Sequence, residues 1–399
     1  ISRPLKNDWK RKFSVCFRFR DSEKPGDSEK LPGTGGRPPG DLSAVEGDGV
    51  GKYREDIGDQ NMNEKIANRS SASMKIVAGL GCIDEYERFI QAGADEFFAG
   101  YVPYDWSRAY GTVIPLNRRE GFTTHVQLGA FSELEILAEM MKYYGKPVHL
   151  TLNSFYYLPE QYAQITRLIH RCMDLGFHSF IIADLALMLY VREAGLDCEI
   201  HVSGEVGEEN SPMLAMMQKW SPKRIIFHRK VPIEDMKTMI QQGHMGSADM
   251  EYEAFALNER CQFNGAYCQS LHCDELGHIC QIPYELGSLE RRTGEKHLVP
   301  DDQKRQFDVS GEPDEEGYLC GASGCGLCAL WHLRDAGITH LKLVGRGNHS
   351  DFMERDIRNL RQALTILEGS DTEEAYVCQM KRQIFPRGCA NQCYYAITR

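Results

Sequence analysis

The sequence predicts an α/β protein, a (β/α)8 barrel of the TIM-barrel type with a cysteine-rich insertion between its seventh and eighth strands. Three observations predict it. From Met74 onward, short apolar runs alternate with amphipathic helical stretches over roughly 250 to 300 residues, the span of such a barrel. The runs number eight, and none departs from the alternation as a doubly wound sheet would require. The longest polar interruption leaves the C-terminal end of the seventh run, the face on which barrel enzymes place their chemistry.

Each strand is an apolar stretch bounded by turn or polar residues. In order they are Lys75–Ala78, Glu96–Ala99, Val148–Asn153, Ser179–Asp184, Glu199–Ser203, Arg224–His228, Met250–Phe255 and Leu341–Val344. Between them lie stretches of helical period at Asp84–Gln91, Glu133–Tyr144, Pro159–Asp174, Leu185–Ala194, Ser211–Trp220 and Ile233–Gln242. The helix-like "LCALWHLRDAG" leads into the eighth strand, and Asp351–Leu367 alternates charged and apolar residues at the spacing of a helix on the barrel's outside.

Two interruptions break the regularity, residues 100–130 and residues 256–327. Loops of that length in a compact domain are functional or disordered. The second carries Cys261, Cys268, Cys273, Cys280, Cys320, Cys325 and Cys328, and its polar part, residues 286–318, reads as a flexible excursion. Residues 1–73 lack periodicity and are crowded with Gly, Pro, Ser and charge, as in "DSEKPGDSEKLPGTGGRPPGDL", so they cannot bury enough apolar surface to offset the entropy of ordering. They read as a disordered extension, either upstream sequence foreign to the folded protein or a genuine flexible arm. The barrel is thus expected over 74–368, with residues 369–399 as a tail that carries Cys378, Cys389 and Cys393.

Charge narrows the partners. The net charge is −11, and since residues 1–73 carry 14 basic and 12 acidic side chains, the rest of the chain carries −13. An acidic body gathers few phosphates, which disfavours a general nucleic-acid binder and favours small-molecule or protein partners. No apolar run approaches the ~20 residues of a membrane span, and no secretory segment opens the chain, so a cytoplasmic protein without a membrane span is expected.

In a reducing compartment, clustered thiols mark a metal or iron–sulfur site. The spacing is C-x6-C-x4-C-x6-C followed 40 positions later by C-x4-C-x2-C, without the paired C-x2-C of zinc ribbons, although zinc stays open. Radical chemistry initiated by S-adenosylmethionine is disfavoured, because only Cys82 follows the first strand.

The segments "AGADEFFAG", "VHLTLNSF", "LGFHSFIIADLALMLYVREAG", "IHVSGEVGEENSPMLAMMQKWSPKRIIFHRKVPIEDM" and "LCALWHLRDAGITHLKLVGR" resemble, in order and spacing, the U32 family, historically called peptidases or collagenase-like proteases. The Glu-x-Phe of the family signature is Glu253 and Phe255, followed by Cys261 and Cys268. The resemblance implies a [4Fe–4S] cluster held by Cys261, Cys268, Cys280 and Cys328, with Cys273, Cys320 or Cys325 competing for the place of Cys280. It also implies oxygen-independent hydroxylation of an aromatic or nucleobase ring, as in ubiquinone biosynthesis or RNA modification, with prephenate as a co-substrate in some relatives. Some relatives work with a second U32-family subunit, so a non-catalytic electron-transfer partner is an alternative. Two departures stand out: Leu257-Asn258 where the family has His-Gly, and Val344 where it has glutamate.

Strand ends supply the other candidates. His201, Ser203, Arg229, Asn153 and Arg346 are expected near the barrel mouth, and Arg229 and Arg346 suit a carboxylate held by paired hydrogen bonds. Each could equally tie down a rim loop, and His201 could be a core histidine. Glu253, if buried, is expected to have a raised pKa and to act as acid or base, or else to anchor the cysteine loop. A small aromatic, a peptide or an RNA are the open substrates. Proteolysis gains little, since H-E-x-x-H and G-x-S-x-G are absent and a thiolate such as Cys273 beside His272 would need a catalytic geometry that adjacency does not give.

Overall fold

The computed structural model describes residues 73–111, 115–118, 126–206, 210–243, 249–261, 268, 287–289, 293, 295–298 and 311–395. The chain divides into two compact units. The one made of Ile1–Asp59 and Tyr284–Leu298 contributes, among the described residues, an antiparallel pair, β8 (Gly287–Leu289) and β9 (Lys296–Leu298), with Ser288 opposite His297. Residues 1–72 of the expected extension and residues 299–310 of the expected excursion lie outside the described residues.

The other unit, Gln60–Pro283 and Val299–Arg399, holds the barrel. Its strands are β1 (Lys75–Leu80), β2 (Glu96–Gly100), β3 (Val148–Leu152), β4 (Ser179–Ile182), β5 (Glu199–Val202), β6 (Arg224–Ile226), β7 (Glu251–Leu257) and β10 (His340–Leu343). They close in the order β1-β10-β7-β6-β5-β4-β3-β2, with every neighbouring pair parallel. Closure fixes the register, as where Lys75 pairs with His340 across β1 and β10. This is the (β/α)8 barrel that the alternation predicts, and the strand positions agree to within a few residues.

The helices around it are α1 (Asp84–Ala92), α2 (Tyr104–Tyr110), α3 (Phe131–Tyr144), α4 (Pro159–Leu175), α5 (Leu185–Glu193), α6 (Ser211–Met217), α7 (Ile233–Gly243), α8 (Leu330–Ala336), α9 (Ser350–Glu368) and α10 (Glu373–Ile384). Their starts carry local signals. Asp184 caps α5 by accepting from Ala186 N at 2.8 Å, and Pro159 opens α4 where its missing N–H costs nothing. Among the described residues, no helix is long and apolar enough to cross a membrane.

Two elements depart from the sequence reading. Helix α2 stands inside the first interruption, because Trp106 buries its ring against Tyr110 and Tyr157. The C-terminal residues form α10 and then a strap that crosses to the end of β7, where Cys325 bridges both Leu257 and Cys393. Tyr376 of α10 anchors the helix by donating from its hydroxyl to Leu327 O at 2.6 Å.

Inside the barrel the side chains form layers. The lower layers are charged. Arg224 donates to Glu96 at 2.7 Å, to Glu251 at 2.7 Å and to Glu253 at 2.9 Å, while His149 meets Glu96 at 3.0 Å. Above them lies an apolar layer of Val77, Phe98, Ile181, Ile226 and Phe255. That layer separates the buried ions from the C-terminal mouth.

Candidate active site at the barrel mouth

The mouth holds a cavity of about 70 Å³ whose floor is Phe98, Ile181, Ile226 and Phe255. Its walls carry four cations, Arg118, Arg229, Lys342 and Arg346, against two carboxylates, Glu205 and Glu259. Thr151, Asn153 and Ser203 complete the polar lining. Strand alternation explains this set, since Phe98, Thr151, Ile181, Ile226, Phe255 and Lys342 all lie on inward positions of their strands. A larger cleft of about 760 Å³ lies around the N-terminal ends of β5 and β6. There Arg192 already donates to the carbonyls of Leu196, Cys198, Trp220 and Ser221, so its charge ties loops together rather than facing a ligand.

Each cation is seated on an aromatic face. Arg229 stacks over Phe255 at 4.0 Å, Lys342 over Phe98 at 3.8 Å and Arg118 over Phe155 at 3.9 Å. Arg346 lies across the ends of β1 and β2, where glycine makes room. A Cβ on Gly100 would stand 2.5 Å from its Nη1, and one on Gly79 would stand 3.1 Å from its Cγ. Arg346 Nη1 also donates to Thr151 Oγ1 at 3.2 Å. Burial works against the charge of Arg229, but Tyr394, Glu205, Glu259 and Cys261 outweigh it and hold the guanidinium protonated. Glu205 stands between Arg229 and Arg118, 3.9 Å from one and 3.7 Å from the other.

The structure corrects two expectations. Glu253 lies beneath the apolar layer, and its carboxylate is fully engaged by Lys342 at 2.8 Å and Arg224 at 2.9 Å. Burial alone would raise its pKa, as the sequence reading supposed, but Lys342 and Arg224 outweigh burial and bring it down to about 2. The group is a buried anion that holds cations. His201 also points into the barrel below the apolar layer, its ring 4.5 Å from that of His149, and it does not line the cavity. Burial pushes its pKa well down, with Arg224 adding to the effect. By contrast Arg229, Arg346, Asn153 and Ser203 do line the cavity.

Cys261 follows β7 and lies within electrostatic reach of Arg229, while Cys268 is buried and its carbonyl accepts from Arg118 Nη1 at 3.0 Å. Cys328 lies in the 3-10 turn Leu327–Ala329 that opens α8. Cys273 and Cys280 lie outside the described residues. Three of the four expected ligands, Cys261, Cys268 and Cys328, are thus among the described residues, and thiols are the donor type a cluster would take. Among the described residues, no three potential ligands meet at the distance a single metal ion requires.

Sequence reasoning missed Arg118, Lys342 and Tyr394. Lys342 was legible in the alternation of "HLKL", which turns it inward. Arg118 comes from the interruption after β2, and Tyr394 comes from the strap, where its hydroxyl donates to Asn258 O and its ring packs on the apolar layer. The departure at Asn258 also finds its cause. Its φ is 70°, a left-handed turn that glycine adopts freely and asparagine tolerates, and Asn258 Nδ2 donates to Asp356 at 2.8 Å.

The model of peptidase family U32 matches residues 81–398. The chain belongs to peptidase family U32. The matched stretch includes the whole mouth, helix α10 and the strap, so in this U32 protein the C-terminal residues are part of the family domain. Among solved structures, a U32 peptidase is similar at 12% identity and a TM-score of 0.38, over 69% of this chain and 95% of that one. A glycerophosphodiester phosphodiesterase from Parabacteroides distasonis follows at 12% identity and 0.32, over 47% and 87%, and a 2,3-dimethylmalate lyase at 10% and 0.33, over 80% and 95%. No curated protein matches the chain.

Proposed function

We propose that this U32 protein hydroxylates an aromatic or nucleobase ring without molecular oxygen, using a [4Fe–4S] cluster held by Cys261, Cys268, Cys280 and Cys328 and a carboxylate co-substrate such as prephenate. The observation that carries the reading is the convergence of Arg118, Arg229, Arg346 and Lys342 on an aromatic-floored cavity beside Cys261 and Cys268. Guanidinium groups bind carboxylates by paired, charge-assisted hydrogen bonds, and their strength grows where water is excluded.

The residues divide the work. Arg229 and Arg346 grip the co-substrate carboxylate from opposite sides of the mouth. Phe98 and Phe255 seat Lys342 and Arg229 and give the cavity an apolar floor. Lys342, whose pKa burial lowers despite the pairing with Glu253, keeps its ammonium at the cavity floor and steadies negative charge there. When bound, the cluster would pass on, one at a time, the two electrons that ring hydroxylation releases, toward an external electron acceptor or a partner subunit, the oxygen atom coming from the hydroxyl of the co-substrate. A cavity of about 70 Å³ takes a carboxylate and little more, so binding of a whole ring requires the rim loops to yield.

The acidic body favours a small aromatic or a peptide over a large RNA. The test is to delete the protein and compare RNA, quinone and peptide pools for a missing increment of one oxygen atom. Loss of that increment from one pool names the substrate class. Unchanged masses together with lost proteolysis would favour the peptidase activity after which the family is named.

A further inference from the structure

We propose that Glu205 determines which carboxylic acids the mouth accepts. It fills the place of a second carboxylate between Arg118 and Arg229, so a monocarboxylate binds unhindered and a dicarboxylate binds only by displacing it. The inference rests on the reading that the arginines hold a carboxylate, and it narrows the class of co-substrate.

The chain builds Glu205 into that place. It follows β5 in a tight turn, in which Glu205 N donates to Ser203 Oγ at 3.2 Å and Val206 N donates to Ser203 O at 3.2 Å. The turn lies against the end of β6 because Gly204 has no side chain: a Cβ there would stand 2.9 Å from Ile226 O and 3.3 Å from His228 N. That contact sets Glu205 beside Arg229, which follows the same strand. Arg118 flanks it as well, tied down by its Nη1 bond to Cys268 O at 3.0 Å and by its backbone N donating to Asn153 Oδ1 at 3.1 Å.

The two oxygens divide between the two arginines as those of a bound carboxylate would. Glu205 Oε1 lies 3.9 Å from Arg229 Nη1 and Oε2 lies 3.7 Å from Arg118 Nε. Both separations are within ion-pair reach and beyond hydrogen-bond length, so Glu205 cancels charge without consuming these donors. The buried Nε of Arg229 has no hydrogen-bond partner among the described residues, which leaves it for one incoming carboxylate shared with Arg346. Charge balance agrees. Burial lowers the pKa of His228, near Glu205, to about 4, so that ring is neutral at neutral pH. With Glu253 beneath Lys342, the four cations of the described lining face three carboxylates, Glu205, Glu259 and Glu253, and one positive charge remains. One carboxylate satisfies it. The second carboxylate of an acid such as prephenate would meet Glu205, and like charges repel strongly where water is scarce.

Acetate and malonate, a small pair that differs by one carboxylate, test the proposal when titrated at neutral pH and followed by ligand-observed NMR. Binding at the mouth is the part that Arg229→Gln removes. The parent should bind the two acids alike. Glu205→Gln should prefer malonate about tenfold or more, the worth of a charge-assisted hydrogen bond. Glu259→Gln removes the same charge from the lining without emptying the place between the arginines, so it should change the ratio little. A malonate preference of about tenfold already in the parent, or an equal shift in Glu205→Gln and Glu259→Gln, would overturn the proposal. Should Glu205→Gln fail to fold, the parent decides alone: equal affinities support the proposal and a malonate preference overturns it. If neither the parent nor Glu205→Gln binds either acid, the carboxylate reading falls together with the proposal, whereas failure of the proposal alone leaves acetate binding intact.

Discussion

Lys342 Nζ lies 2.8 Å from Glu253 Oε1, and this buried pair stands at the boundary between the charged lower layers of the barrel and its mouth. Lys342 lines the cavity, whereas Glu253 does not. The cation at the cavity floor is therefore held by an anion beneath it, and Glu253 acts on the site through Lys342.

Glu253→Gln is expected to cost about 3–5 kcal/mol in stability, because it leaves Lys342 and Arg224 buried with less compensation. Denaturant unfolding measures this. A variant as stable as the parent would return Glu253 to the direct proton-transfer role that its position in the family signature suggested.

The same pair sets a pH dependence. Glu253 has its pKa brought down from 4.5 to about 2 on folding, so its contribution is fully present above about 4.5 and is lost as pH falls toward 2. Urea midpoints should drop across that window in the parent and drop less in Glu253→Gln. The slope will not vanish, because Glu96 is also held well below the usual carboxylate range: His149, His340 and Arg224 together overcome its burial.

Arg229→Lys keeps the charge and removes the fork. Binding of prephenate, followed by calorimetry, should weaken about tenfold or more, the worth of a charge-assisted hydrogen bond. Gly100→Ala should weaken it too without touching a charge. Its Cβ would stand 2.5 Å from Arg346 Nη1 and only 3.3 Å from the Thr151 hydroxyl, so the flexible guanidinium is what must move. Equal affinity in both variants would remove the arginines from the carboxylate site.

Single Cys→Ala variants at positions 261, 268, 273, 280 and 328, purified anaerobically, should separate ligands from spare thiols. Loss of brown colour and iron is expected at 261, 268, 280 and 328 and not at 273. Colourless parent protein with stoichiometric zinc would end the iron–sulfur assignment.

How much of this was legible beforehand depends on whether a property is local. The eight strands were, because burial on both faces writes apolar runs directly into the sequence, and Arg229 and Arg346 could be placed near the mouth because they follow such runs. The ionisation of Glu253 was not legible, since it is decided by Lys342 and Arg224, 89 and 29 positions away. Burial of a lone carboxylate predicts a raised pKa, and only the register of β6, β7 and β10 shows that this one is not alone. Tyr394 was hidden for a similar reason. Nothing local to "NQCYY" says that it crosses to the end of β7, and the glycines that receive it lie in another segment.

Asn258 offers a prediction in which backbone and side chain can be separated. Its φ of 70° demands a left-handed turn, its amide donates to Asp356 at 2.8 Å, and its carbonyl accepts from Tyr394. Asn258→Gly keeps the turn and loses the amide, while Tyr318 still donates to Asp356 at 2.7 Å, so the cost should be about 1 kcal/mol. Asn258→Ala adds the left-handed penalty, another ~1–2 kcal/mol. Asn258→Asp keeps the turn and sets a second carboxylate against Asp356, whose pKa burial has already raised to about 6, so at neutral pH it should cost more than the glycine variant. That excess should shrink as pH falls below about 6 and Asp356 takes up a proton. Thermal unfolding of the three variants at two pH values gives the order. If glycine proved as damaging as alanine or more so, the left-handed turn would not be what selects the residue here, and the replacement of the family's glycine would need another cause.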